Sequence, residues 1–325
     1  MRLKFEPVRS YDRNFERVWC IVYLMKLGFF LQRRFAYVGH EMAKLLKERY
    51  AVTEFCGYVS MRSSLEFLKS QKDIEYTSLL LDDDVYAKYK DERLDPEFLK
   101  TLEKEYGPTL WKYIYLDRVI RYNLLVREYP YDTPRYSHEE MLRIVQVAAK
   151  DVKQFLDTEK PNAIFFSVVS NIGSYLLYTM AQKRGIKTLI LDAARIGNKY
   201  FLSGGYEEST FVQDAFSRLQ EGGKSKYREE AERFLEEFEK KNTYYFQASK
   251  AIDDPAFKKP SNRLSGLSFL LPHELWKVSY LIGSASLNFL RYSSDYVTQN
   301  PFWAVIDKAK RKARVVRGYN DLYDA

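Results

Sequence analysis

Two short polar stretches end apolar runs at points where a ligand can be held. Ser170, Asn171, Gly173 and Ser174 follow the run "NAIFFSVV", and a helical pattern begins at once. Asp192, Arg195 and Asn198 follow "IKTLIL" in the segment "DAARIGN". Hydroxyl, amide, carboxylate and guanidinium groups together suit a hydroxylated ligand. Free backbone N–H groups at a helix start also attract anions and sugar hydroxyls. The plainer role for Ser170 or Asn171 is a helix N-cap, and for Asp192 a turn residue. The "DAARIGN" segment carries more polar functionality than a turn requires.

Other residues have the right chemistry in less telling places. Arg33 and Arg34 precede a helical pattern, where paired cations suit phosphate or simply a solvated loop. "YLDRVIRYN" brings Asp117, Arg118, Arg121 and Tyr122 within two turns, and the spacing of Asp117 and Arg121 allows an intrahelical ion pair. The basic run "DKAKRKARVVRG" near the end reads as a solvated face or a contact for anionic lipid.

Several familiar chemistries are excluded by spacing. "GGKS" at 222–225 lacks the earlier glycine of a phosphate loop, since Arg218 occupies it, and a helical pattern rather than a strand precedes it. His40, His138 and His273 are each followed by glutamate, but Lys44, Leu142 and Lys277 stand where a zinc protease needs its second histidine. Two cysteines and three scattered histidines give no metal cage. Neither a G-x-S-x-G elbow nor a G-x-G-x-x-G fingerprint occurs where it is needed. No RNA-recognition signature is present either, so nucleic acid ranks below a membrane or a phosphosugar as partner.

The elements that position these residues alternate. Buried strands are expected at Arg17–Leu24, Ala51–Val59 and Asp73–Leu81, with helices between them. In the first helix Phe35, Val38, Met42, Leu45 and Leu46 form an apolar stripe. Strand, helix, strand, helix, strand is the order of a parallel, doubly wound α/β sheet. A tyrosine-rich helical insertion follows at about 85–135. Ser137 and Glu140 form a capping-box pattern opening a helix whose inward residues are Met141, Ile144, Val145, Ala148, Val152 and Phe155. A β-α-β unit follows, with Gly185 ending its helix. An α/β domain thus spans 1–205. The remainder, 206–325, reads as a mainly helical extension, including an amphipathic helix over Lys224–Asn242.

Composition sets the outer bounds. The chain has 325 residues and a formal net charge of +8, which suits an anionic partner or plain solubility. Abundant Lys, Glu and Arg with sparse amides is a pattern of hyperthermophile proteins. Cys20 and Cys56 are too few for a secreted disulfide framework; both read as buried thiols, with a bridge conceivable if their strands are neighbours. "VWCIVYLMKLGFFL" is interrupted by Lys26, so neither a transmembrane helix nor a signal peptide is expected. The chain reads as cytoplasmic, resting at most on a membrane surface.

The order "EYGPTLWKYIYLDRVIRYN", "PYDTPRYSHEEMLR", "KPNAIFFSVVSNIGSYLLYTMAQKRGIKTLILDAARIGNKY" resembles the N-terminal half of capsule-polysaccharide-biosynthesis-type glycosyltransferases, over roughly Arg17 to Phe201. That resemblance implies the GT-B architecture, with two Rossmann-like domains facing across a cleft. It implies an acceptor-binding role for this half, with a glycan or lipid-linked acceptor and a nucleotide-sugar donor held by the other domain. On this chain the cleft edge would carry Arg33, Arg34, Ser170, Asn171, Gly173, Ser174, Asp192, Arg195 and Asn198. Asp192 or Asp117 is then the candidate base, as a carboxylate able to take a hydroxyl proton; His40 is a further candidate, inside the first helix. No second run of alternating strands and helices follows Gly205, so either the donor-binding half is encoded or cut elsewhere or the chain is a stand-alone acceptor domain. No cofactor or metal is expected on this one. The alternatives are a non-catalytic scaffold docking on a membrane or partner and, more remotely, a relative of sugar-nucleotide epimerases.

Overall fold

The computed structural model describes residues 25–122, 136–194, 200–207, 210–222, 225, 227–241, 272–292, 300–302, 306 and 310. The expected strand Arg17–Leu24, Cys20, Arg195, Asn198 and most of the basic run 307–318 lie outside these residues.

Five parallel strands build the sheet: β1 (Lys26–Leu31), β2 (Glu54–Val59), β3 (Tyr76–Leu81), β4 (Ala163–Phe166) and β5 (Lys187–Ala193). A sixth, β6 (Tyr200–Ser203), pairs antiparallel with β5 at the edge. Their order is β3-β2-β1-β4-β5-β6, the doubly wound order, which reverses direction between β1 and β4. The α/β class read from the sequence is therefore observed, and the antiparallel edge strand is an addition to it.

Helix α1 (Phe35–Tyr50) follows β1 and α2 (Arg62–Ser70) follows β2. After β3 come α3 (Asp82–Ala87), α4 (Pro96–Tyr106), α5 (Leu110–Leu116) and α6 (Arg118–Tyr122). The long α7 (His138–Glu159) leads into β4, and α8 (Ile172–Lys183) joins β4 to β5. Further helices α9 (Thr210–Gln220), α10 (Arg228–Lys241) and α11 (Pro272–Tyr292) follow the sheet. Among the described residues no helix is long and apolar enough to cross a membrane.

Strand residues alternate between two cores, as the two-residue period of a strand requires. Leu27, Phe29, Leu31, Phe55, Val59, Ala163 and Phe165 pack toward α1 and α2. Phe30, Cys56, Tyr58, Ile164 and Phe166 pack against α7 and α8. All six residues expected to face inward on α7 are buried, and its capping box is formed. At the end of α8, Gly185 adopts φ 72° and the following Ile186 N–H bonds back to the Ala181 carbonyl.

Two expectations need correction. The first described strand is Lys26–Leu31, in the segment read as a loop between the expected strand Arg17–Leu24 and the first helix. Lys26 is accommodated because its ammonium pairs with Glu159, itself buried and bonded to Thr77. The stripe on α1 is also rotated: Val38 and Leu45 are 49% and 43% exposed, while Ala36, Gly39, His40 and Ala43 are buried. Small residues let α1 lie directly on β1. A Cβ at Gly39 would fall 2.6 Å from Leu31 Cδ2, so bulk at neighbouring positions is turned outward.

Candidate functional site

The crevice where the strand order reverses holds a cavity of about 450 Å³, a size typical of small-ligand sites. Its walls come from three loops at the carboxyl ends of strands and one break between helices. Gln32 and Arg33 follow β1, Ser60 and Met61 follow β2, and Ser170 and Asn171 follow β4. Leu116 to Val119, between α5 and α6, close the fourth side. Gln32 Nε2 donates to Ser170 Oγ at 3.2 Å, so a hydrogen bond spans the β1 and β4 sides of the crevice.

The segment from Ser170 to Ser174 is a helix cap whose polar backbone is already satisfied. Asn171 is the N-cap of α8: its Oδ1 accepts from Ser174 N at 2.9 Å, and Ser174 Oγ accepts from Ser170 N and Asn171 N, both at 3.1 Å. Ile172 N donates to Asp117 Oδ2 at 3.3 Å and Gly173 N to the Tyr86 hydroxyl at 2.8 Å. The expectation of free N–H groups for an anion is thus corrected. Asp117 stands at the helix start where a bound anion would otherwise sit. Only side chains of this segment remain to meet a ligand, with Ser170 half-buried and Asn171 buried at the cavity wall.

Gly173 has a packing role. A Cβ there would lie 2.3 Å from both Asp82 Oδ1 and the Tyr58 hydroxyl. The helix start is pressed onto a buried polar cluster of Asp82, Asn171, Tyr58, Tyr86 and Asp117. Asp82 Oδ2 accepts from Asn171 Nδ2 at 2.6 Å. Burial pushes the Asp82 carboxyl up to about 7, against lowering hydrogen bonds from Tyr58, Asn171 and Tyr86 and with a further rise from the Asp117 charge. The Asp117 carboxyl is likewise raised by burial, to about 6, despite bonds from Ile120, Ile172 and Val119.

Asp117 does not sit within one continuous helix, as its pairing with Arg121 supposed. It occupies the break between α5 and α6, where its Oδ1 accepts from Val119 N at 3.2 Å and Ile120 N at 3.1 Å. One carboxylate therefore caps α6 and touches the start of α8. Replacing it by alanine strands three buried N–H groups, and we expect Asp117→Ala to lower unfolding free energy by about 2 kcal/mol in urea titrations.

Arg33 holds a left-handed backbone, φ 46°, unusual for a side chain of its size. Its N–H donates to Ser60 Oγ and its carbonyl accepts from Ser64 Oγ, both at 3.3 Å. Arg34 is the N-cap residue of α1 and is exposed. Asp192 is elsewhere. It pairs with Phe201 in the β5–β6 hairpin, is exposed, and its Oδ1 accepts from the adjacent Ala193 N at 2.7 Å. Strands β4 and β5 are parallel neighbours as anticipated, but the cavity opens on the β1 side of β4, and Asp192 is not among its lining residues.

His40 is buried, with Nε2 3.0 Å from Asp73 Oδ1 and Nδ1 3.2 Å from the Tyr76 hydroxyl, so it ties α1 to the approach of β3 and is no surface base. Cys56 is a buried free thiol pushed up to about 12 by burial. Among the described residues no group of His, Cys, Asp and Glu could hold a metal ion. Gln32, Ser60, Met61 and Asp82 were not singled out from the sequence. The triple "DDD" after an apolar run was the available signal for Asp82, since carboxylates at a strand end must be capped, paired or protonated.

In comparisons with family models, with curated proteins and with solved structures, nothing matches this chain.

Proposed function

We propose that this chain is the acceptor-binding domain of a GT-B-type glycosyltransferase of the capsule-polysaccharide kind, holding a glycan or lipid-linked sugar in the cavity between β1 and β4. The observation that carries the reading is the cavity's position at the reversal point of a doubly wound sheet, where this architecture receives ligands. Its lining supports a hydroxyl-rich guest: Gln32, Ser60, Ser170 and Asn171 offer amides and hydroxyls, and Leu116, Val119 and Met61 offer apolar contact. Transfer requires a nucleotide-sugar bound by a second domain, so this chain supplies acceptor recognition. Saturation-transfer NMR with a panel of oligosaccharides tests the reading. We expect transfer to at least one glycan, weakened several-fold by Ser170→Ala; silence across the panel contradicts it.

A second reading, a docking scaffold, draws on α11, where Trp276, Tyr280, Leu287 and Leu290 are 68–76% exposed. Pelleting with anionic liposomes but not neutral ones favours it.

A further inference from the structure

We propose that the ligand of the β1–β4 cavity carries a phosphate ester, gripped by Arg33 and Arg118; the inference rests on the acceptor-site reading above. Both arginines line the cavity, and both are exposed. Among the described residues neither guanidinium has an ion-pair partner. The acids that might have neutralised them are committed elsewhere. Asp84 is bonded to Arg62 at 2.6 Å, Asp82 to Asn171, and Asp117 to three backbone N–H groups.

Asp117 is the single acid of the lining, and it is buried with its oxygens turned to the protein. Among the described lining residues the accessible charge therefore comes from two arginines, one after β1 and one at the start of α6. Guanidinium groups match phosphate oxygens with paired N–H donors, which a neutral sugar does not need. The base of Arg33 is also fixed. Ser60 and Ser64 bond its backbone N–H and carbonyl in the left-handed region, and the residue as a whole is exposed. The wall below supplies neutral donors and acceptors from Gln32, Ser60 and Ser170 for the sugar bearing the phosphate. Backbone N–H groups at the start of α8 take no part, being already bonded.

The test is calorimetric titration of the full chain with a panel of hexose 1-phosphates, the matching neutral methyl hexosides, and inorganic phosphate. We expect at least one hexose 1-phosphate to bind ten-fold or more tighter than its neutral counterpart and than inorganic phosphate. Arg33→Ala and Arg118→Ala should each weaken it about ten-fold, more than they weaken the neutral hexoside, while leaving the unfolding temperature unchanged. Equal binding of neutral and phosphorylated sugars, indifferent to both variants, overturns the phosphate inference and leaves the acceptor-site reading standing. Inorganic phosphate binding as tightly as the ester overturns it in favour of a simple anion site. No binding by any probe overturns both readings.

Discussion

Gly173→Ala should be the most damaging single-methyl change in the described structure. The added carbon would lie 2.3 Å from Asp82 Oδ1 and from the Tyr58 hydroxyl, and 2.6 Å from Tyr58 Cε1. Neither partner has room to retreat, since both are fully buried. To relieve the overlap, α8 must lift from its seat, which breaks the Gly173 N–H bond to Tyr86 and the Ile172 N–H bond to Asp117. We expect a loss of about 4 kcal/mol in unfolding free energy, beyond the usual range for overpacking because buried polar groups lose partners as well. Denaturant titration measures it. A variant within about 1 kcal/mol of the parent contradicts the close approach of α8 to Asp82.

The second large effect is on the pH dependence of stability. The folded-state carboxyl of Asp82 stands at about 7, well above the value near 4 expected of an unfolded chain. The folded protein thus binds a proton more tightly than the unfolded one. Asp82 favours folding most at low pH, and that advantage is lost as pH rises from about 4 through about 7. Asp117 adds a smaller loss of the same sign up to about 6. At roughly 1.4 kcal/mol per unit over about three units, the Asp82 contribution is on the order of 4 kcal/mol. Asp82→Asn keeps an acceptor for Asn171 and removes the titrating proton. The variant should match the parent near pH 4, exceed it by on the order of 4 kcal/mol at pH 8, and show only the residual slope from Asp117. Parallel stability curves for parent and variant across that window contradict the assignment.

Local rules carried much of the architecture into the sequence. The Ser137–Glu140 capping box, the inward face of α7 and the β4–α8–β5 unit each depend on neighbours in the chain, and each is observed where its pattern lies. Features set by distant partners were not legible. The start of β1 at Lys26 depends on Glu159, far along the chain, whose carboxylate meets the lysine. The outward turn of Val38 and Leu45 follows from how closely α1 approaches β1 through Gly39, which the apolar period alone does not encode.

The site was legible in part for the same reason. Ser170 and Asn171 mark the end of β4, and Arg33 the end of β1, so the sequence named residues on both sides of the crevice. It joined the β4 end to the β5 end, and those strands are parallel neighbours, while the cavity opens toward β1, where the strand order reverses. Asp117 looked like one half of an ion pair or a base. Its three backbone donors become visible only once α8 is packed beside the break after α5.

The location of the site is measured most directly by amide chemical-shift mapping with a hexose 1-phosphate. Shifts concentrated at Gln32, Arg33, Ser60, Met61, Arg118, Val119, Ser170 and Asn171 are the predicted result, each saturating with one common affinity. Shifts centred instead on Asp192, Ala193, Tyr200 and Phe201 in the β5–β6 hairpin, with the β1–β4 crevice unchanged, would contradict it.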